Sequence, residues 1–246
     1  MTTSDTTCSA SLALDPDEIH VWIASLELSA QQTASLLKTL SPDEKVRAER
    51  YISREAKDRF IAARGVLRNL LARYLARNAA GIQFDYNENG RPVLASSSDN
   101  KKIAFNISHS GAKALFAFSA GIPIGIDIEM LRSNLDFVGI AERFFAPGEA
   151  ADLASLPEAD RKEAFFACWT RKEAFVKARG TGILLNLNQI EVSLRPREKP
   201  TVIRADGDNA DLAAWSLRDL EAGAGFKAAV AVRAANPRLV QFDYVF

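Results

Sequence analysis

The chain has 246 residues, 48% hydrophobic and 25% charged, with 31 basic residues matched by 31 acidic ones. That is the composition of a globular protein able to bury a substantial core, which excludes a largely disordered chain. A net charge of zero removes any whole-molecule attraction to nucleic acid or an anionic membrane, and no run approaches the roughly 18 consecutive apolar residues of a membrane span.

Residues 1–16 are small and polar, without the basic start and continuous apolar run of a secretory signal, and read as a flexible leader. Cys8 and Cys168 form no disulfide or metal-binding pattern, as expected of a cytoplasmic protein. The fold is expected to start with a strand over 19–26, where Val21, Ile23 and Ser25 alternate with His20, Trp22 and Ala24. On that strand His20 reads as structural. Ser41, Pro42 and Glu44 suit the first turn of a basic helical stretch carrying Lys45, Arg47, Arg50 and Arg54. A second helix is expected over 56–77, with Phe60, Ala63, Leu67, Leu70, Leu71 and Tyr74 on its core face. Arg59, Arg64, Arg68 and Arg73 fall largely outside that stripe and read as a solvated basic face. A strand at 82–86, a turn at 87–92 centred on Asn89-Gly90, a polar loop to Lys102, and strands at 103–107 and 112–119 follow.

The second half repeats the plan. A strand at 122–129 leads to helices at 137–144 and 157–179, the latter stopped by Gly180 and Gly182. Gly81-Ile82 and Gly182-Ile183 mark equivalent junctions, and each half ends in small and apolar alternation, AKALFAFS and FKAAVAV. The expectation is an α+β protein of two similar αβ halves, 17–120 and 121–246, with a ligand cleft between them.

Three segments carry chemistry. In PIGIDIE, Asp127 and Glu129 stand two positions apart on a strand, so their carboxylates share one face about 6 to 7 Å apart. A hard divalent cation such as Mg²⁺ would relieve their repulsion, and a wet acidic edge explains them equally well. In FFACWTRKEAFVKARG, Glu173 and Lys177 share a helix face one turn after Trp169, on a segment apolar enough that both need partners. In FNISHSG the strand is expected to end at Ile107, leaving Ser108, His109, Ser110 and Gly111 as a polar turn suited to an anion. No phosphate-loop or GxSxG pattern occurs.

The order GRP, FNISHSG, GIDIE, RFF and WTRKEAFVKARGTGI closely resembles the 4′-phosphopantetheinyl transferase superfamily, in its longer, pseudo-dimeric type that activates surfactin synthetase, over roughly residues 41–195. Arg91 stands where lysine is common in that family's turn. The resemblance implies two halves related by a pseudo-twofold axis with the active site between them. It implies transfer of the 4′-phosphopantetheine arm of coenzyme A to a serine of an acyl or peptidyl carrier protein, with release of adenosine 3′,5′-bisphosphate. It further implies that Asp127, Glu129 and Glu173 coordinate Mg²⁺ with the pyrophosphate, with Glu173 the first choice for the base and Glu129 the second. Lys177 and His109, with Ser108 beside it, would contact the pyrophosphate. Arg59 would bind the 3′-phosphate, Lys45 and Arg47 would add basic contacts, and Gly90, Arg91 and Pro92 would border the adenine. Lys172 matches a motif position without an assigned role. The segment 144–157 is a candidate carrier-docking loop, and a monomer is expected because two internal halves complete one cleft. A Mg²⁺-dependent phosphodiesterase or nuclease using the same carboxylates, and a non-catalytic carrier-protein or coenzyme A binding module, are the competing classes.

Overall fold

The computed structural model describes residues 3–4, 12–88, 90–95, 102–180, 187–205 and 209–246. In chain order the elements are β1 (Thr3–Ser4), β2 (Glu18–Ser25), α1 (Ala30–Thr39), α2 (Pro42–Glu49), α3 (Arg54–Leu75), β3 (Phe84–Tyr86), β4 (Pro92–Leu94), β5 (Ala104–Ser110), β6 (Lys113–Ser119) and β7 (Ile124–Met130). There follow α4 (Phe137–Phe144), α5 (Pro147–Ser155), α6 (Glu158–Arg179), β8 (Ile190–Val192), β9 (Val202–Ala205), β10 (Ser216–Asp219), β11 (Phe226–Val232) and β12 (Arg238–Asp243).

Two sheets lie face to face between two long helices. The first has the order β1-β12-β2-β6-β5, the second β10-β11-β7, and β3-β4 and β8-β9 are separate hairpins. Strand alternation builds three cores. Trp22, Ala24, Phe116 and Phe118 face α3, where Leu67, Leu70 and Tyr74 meet them. The alternate residues Ile19, Val21, Leu115 and Ala117 turn the other way and pack on Ile126, Ile128, Val230 and Val232 of the second sheet. Ala229 and Ala231 face Ala174, Phe175 and Ala178 of α6.

Several elements differ from expectation. The polar sequence SHS is strand, not turn: β5 stays paired with β6 through Ser110↔Lys113, and the reversal falls at Gly111, whose φ is +56°. The candidate docking loop contains α5, opened by Pro147 and by Glu149 accepting the Ala146 N–H at 2.8 Å. The basic stretch after Ser41 is two helices, since α2 stops at Glu49 and Arg54 begins α3. Arg64 and Arg68 are not solvated; Arg68 is 1% exposed and bonds Glu44 at 2.6 Å and the Ala79 and Ile82 carbonyls at 2.9 Å each. Phe60 and Ala63 pack against the first core as expected, though they are only half-buried.

The last strand departs from a division at Gly121, because β12 inserts parallel to β2 in the first sheet and stacks Phe242 on Trp22 at 4.4 Å. Of the leader, Leu12 and Leu14 pack against the first core, and the Leu12 N–H bonds the Arg73 carbonyl at 3.2 Å. Cys8, Asn89 and the Gly182-Ile183 junction lie outside the described residues. His20 is structural as expected, buried at 5% exposure with its Nδ1 2.7 Å from the Tyr74 hydroxyl.

Candidate active site

The site exists because α6 lies directly on β7. A side chain at Gly125 would put its Cβ 2.1 Å from the Ala174 carbonyl oxygen and 2.3 Å from the Ala178 nitrogen, so only glycine admits this crossing. Strand alternation sends Ile126 and Ile128 into the core between the sheets and Asp127 and Glu129 toward α6. From α6, Glu173 and Lys177 project toward the same carboxylates, and Gly180, with φ 73°, ends the helix.

Asp127 is 3% exposed. Its Oδ1 accepts from Ser108 Oγ at 2.8 Å and from Lys177 Nζ at 2.6 Å, while its Oδ2 is buried with no hydrogen-bond partner among the described residues. Glu129 Oε2 accepts from Ser110 Oγ at 2.9 Å. Burial raises the pKa of all three carboxylates, Asp127, Glu129 and Glu173; the Asp127 charge adds to the rise at Glu129 and Glu173, and Lys177 opposes it at each. Among the described residues no group of three His, Cys, Asp or Glu side chains is already gathered into a metal cage. The donors nevertheless suit a hard divalent cation: all are carboxylate oxygens, they repel one another, and the unpartnered Asp127 Oδ2 lacks a counterpart.

Beside these groups opens a cleft of about 600 Å³, walled by Arg47 of α2, Arg59, Phe60 and Arg64 of α3, Pro92 of β4, His109 and Ser110 of β5, and Glu129 and Arg132. Its cations outnumber its carboxylates, as a polyanion would require. Desolvation lowers the His109 pKa, and the nearby Lys177 and Arg59 charges lower it further. Arg59 also pairs with Glu55 at 2.6 Å. The Arg47 and Arg64 guanidinium groups lie 5.5 Å and 5.9 Å from the Phe60 ring centre, which explains why Phe60 belongs to the cleft wall.

Of the residues singled out from sequence, Arg47, Arg59, Pro92, His109 and Glu129 line this cleft, while Ser108, Asp127 and Lys177 form a bonded group next to Glu129 without lining it, and Glu173 does not line it either. Arg91 reaches across from the β3-β4 hairpin to donate to the Lys177 carbonyl at 2.9 Å, which ties that hairpin to α6. Gly90 sits in the same turn with φ 69°. Lys45 lies elsewhere, on a shallow groove with Leu37, Val46 and Glu49, because residues two apart on a helix do not share a face. Lys172 is not in the cleft either. It is 0% exposed, and its Nζ bonds the Leu187 carbonyl at 2.9 Å, the Ile190 carbonyl and Glu149. Arg64 and Arg132 are cleft residues that sequence reasoning missed, whereas Ser110, expected in an anion-binding turn, lines the cleft from a strand.

Comparisons with known proteins show the family. A family model described as the 4′-phosphopantetheinyl transferase superfamily matches residues 123–231, and one described as 4′-phosphopantetheinyl transferase, N-terminal, matches residues 26–120. The 4′-phosphopantetheinyl transferase HetI of Nostoc sp. is 40% identical over 221 residues, 90% of this chain and 90% of its own. The 4′-phosphopantetheinyl transferase Sfp of Bacillus subtilis is 29% identical over 210 residues, 85% of this chain and 88% of its own. Among solved structures, a holo-(acyl-carrier-protein) synthase from Bacillus anthracis in complex with CoA (3′,5′-ADP) is 29% identical, covering 45% of this chain and 95% of that chain with a TM-score of 0.38.

Proposed function

The chain belongs to the 4′-phosphopantetheinyl transferase superfamily and transfers the phosphopantetheine arm to carrier proteins, and from that premise we propose how its residues divide the work. Coenzyme A lies along the arginine-lined cleft with its pyrophosphate at Glu129 of the cleft wall and at the neighbouring Asp127 and Glu173. The observation that carries this reading is the buried Oδ2 of Asp127, which has no hydrogen-bond partner among the described residues and lies beside two further carboxylates. Asp127, Glu129 and Glu173 are the residues that would hold Mg²⁺. When bound, the cation neutralises charge on the pyrophosphate and on the departing nucleotide.

The protein's own groups do the rest. Arg59 and Arg47 bind the nucleotide phosphates, and His109 and Lys177 bind the pyrophosphate. The turn at Gly90, Arg91 and Pro92 borders the adenine. Glu173 accepts the proton of the carrier serine at its carboxylate, its raised pKa making it a better base than a solvated glutamate. The serine oxygen then bonds the phosphorus next to the pantetheine, the pyrophosphate P–O bond breaks, and adenosine 3′,5′-bisphosphate leaves with the electron pair. Lys45 has no part in this site, since it faces another groove.

The two long helices, each flanking its own sheet, support a pseudo-twofold relation between the halves, 17–120 and 121–246, with β12 exchanged into the first sheet and residues 1–16 a leader to them. One cleft built by a single chain supports a monomer, working in the cytoplasm where coenzyme A and carrier proteins are made. Intact-protein mass spectrometry of an apo carrier protein, incubated with this enzyme, coenzyme A and Mg²⁺, tests the reading. The expected result is a gain of one phosphopantetheine group that EDTA prevents; a gain indifferent to EDTA refutes the metal assignment.

A further inference from the structure

The two sheets meet along a polar seam at their edges. Strand β7 is paired with β11 on one side only, and its other edge presents backbone N–H groups at every second residue. Strand β5 answers them with side chains of the same period: Asn106 Oδ1 accepts from Ile126 N–H at 3.0 Å, Ser108 Oγ from Ile128 N–H at 3.4 Å, and Ser110 Oγ from Met130 N–H at 3.1 Å. Asparagine accepts through its carbonyl oxygen, and the protons it has to give sit on a different atom. A serine hydroxyl that accepts from a backbone N–H still has one proton to give. For Ser110, 8% exposed, the carboxylate oxygen at 2.9 Å is Glu129 Oε2, and an ionised carboxylate only accepts. The backbone of β7 therefore sets the direction of the Ser110 hydroxyl, and that hydroxyl sets the Glu129 carboxylate.

We infer that Ser110 is a positioning residue, which fixes the Glu129 carboxylate for cation binding through a relay that starts at the Met130 N–H. The inference rests on the reading of Glu129 as a cation ligand. Ser108 repeats the relay one step along the strand, from Ile128 N–H to Asp127 Oδ1, with Lys177 Nζ also on its oxygen at 3.3 Å. Asn106 has the same bond to β7, and the structure gives it no carboxylate partner. The seam thus contains its own control.

Mn²⁺ serves as the probe, since an all-oxygen site that holds Mg²⁺ also takes Mn²⁺. Free Mn²⁺ is followed by electron paramagnetic resonance on the whole chain with coenzyme A present, and coenzyme A binding is measured separately in EDTA. Ser110→Ala should weaken Mn²⁺ binding about 10- to 100-fold, the usual loss for a partner that orients a ligand, a larger factor than any it takes from coenzyme A affinity in EDTA. Ser110→Thr restores the hydroxyl and should recover most of the Mn²⁺ affinity. Asn106→Ala should lower the melting temperature without changing Mn²⁺ affinity, and Glu129→Gln should lose Mn²⁺ binding. Wild-type Mn²⁺ affinity in Ser110→Ala beside a defective Glu129→Gln overturns the positioning role alone. Equal losses in Ser110→Ala and Asn106→Ala also overturn it, because the seam as a whole would then be responsible. Wild-type affinity in Glu129→Gln overturns the ligand assignment together with this inference.

Discussion

Lys172 stands next to Glu173 in the most distinctive stretch of the chain, and the structure assigns it to the fold. Its ammonium is fully buried against the Glu149 carboxylate and the Leu187 and Ile190 carbonyls. Glu149, 2% exposed, also accepts from the Ala146 N–H at 2.8 Å, the Val192 N–H at 2.7 Å and the Cys168 thiol at 3.5 Å. Burial and the Glu149 charge push the Cys168 thiol up, so it stays protonated beside the pair. The cluster joins α5, α6 and the start of β8. Lys172→Met fills similar space and leaves Glu149 charged, buried and short of one donor, which costs about 3 to 5 kcal/mol. A chain of this size unfolds with an entropy of about 0.5 kcal/mol/K near the transition, so the melting temperature should fall by about 6 to 10 °C. Adding Glu149→Gln removes the orphaned charge, and the double variant should recover about 1 to 3 kcal/mol relative to additivity. Urea and thermal unfolding by circular dichroism measure both quantities. An unchanged melting temperature with lost coenzyme A binding would refute the reasoning and return Lys172 to the ligand.

Gly125→Ala must separate β7 from α6 or displace the Ala174 carbonyl, and should destabilise the protein by at least about 1 to 3 kcal/mol while abolishing transfer; a stable, active variant in the same assays contradicts the crossing. Ala76 closes α3 with φ 53°, a left-handed conformation, so Ala76→Gly should stabilise by about 0.5 to 1 kcal/mol, read as a higher urea midpoint. Desolvation, Lys177 and Arg59 hold the His109 pKa below its ordinary value, so the folded free enzyme binds this proton less readily than the unfolded chain, and its contribution to stability falls as the pH drops below about 6.5. Coenzyme A brings phosphate charge to the ring, so binding near pH 6.5 should take up a proton, seen by calorimetry in buffers of different ionisation heat. His109→Gln should abolish that uptake, and its persistence in the variant would remove His109 from the ligand.

Local pattern carried the parts of the site that sit on one element. Asp127 and Glu129 are two apart on a strand, Glu173 and Lys177 four apart on a helix, and these periods survive any tertiary arrangement. The partnerships between distant segments were not legible. Arg64 and Arg68 read as solvated because the Glu44 carboxylate that receives them is on a different helix. Ser108, His109 and Ser110 are turn-forming residue types, and only the pairing of β5 with β6 makes them strand. Once they are strand, alternation sends His109 to the cleft and both serines to the carboxylates, an assignment no turn would make. The segment holding α5 was read by position alone, and its Glu149 proved to be the partner of Lys172.

The most direct test of the account compares wild type with Glu173→Gln, which removes the carboxylate charge at nearly constant shape. Carrier-protein mass gain is followed over time with coenzyme A and Mg²⁺, alongside coenzyme A affinity and melting temperature. The account predicts a metal-dependent gain with wild type and a rate at least about 100-fold lower with the variant, as loss of a general base requires. Coenzyme A affinity in EDTA and the fold should be retained. Near-wild-type transfer by Glu173→Gln would contradict the central assignment.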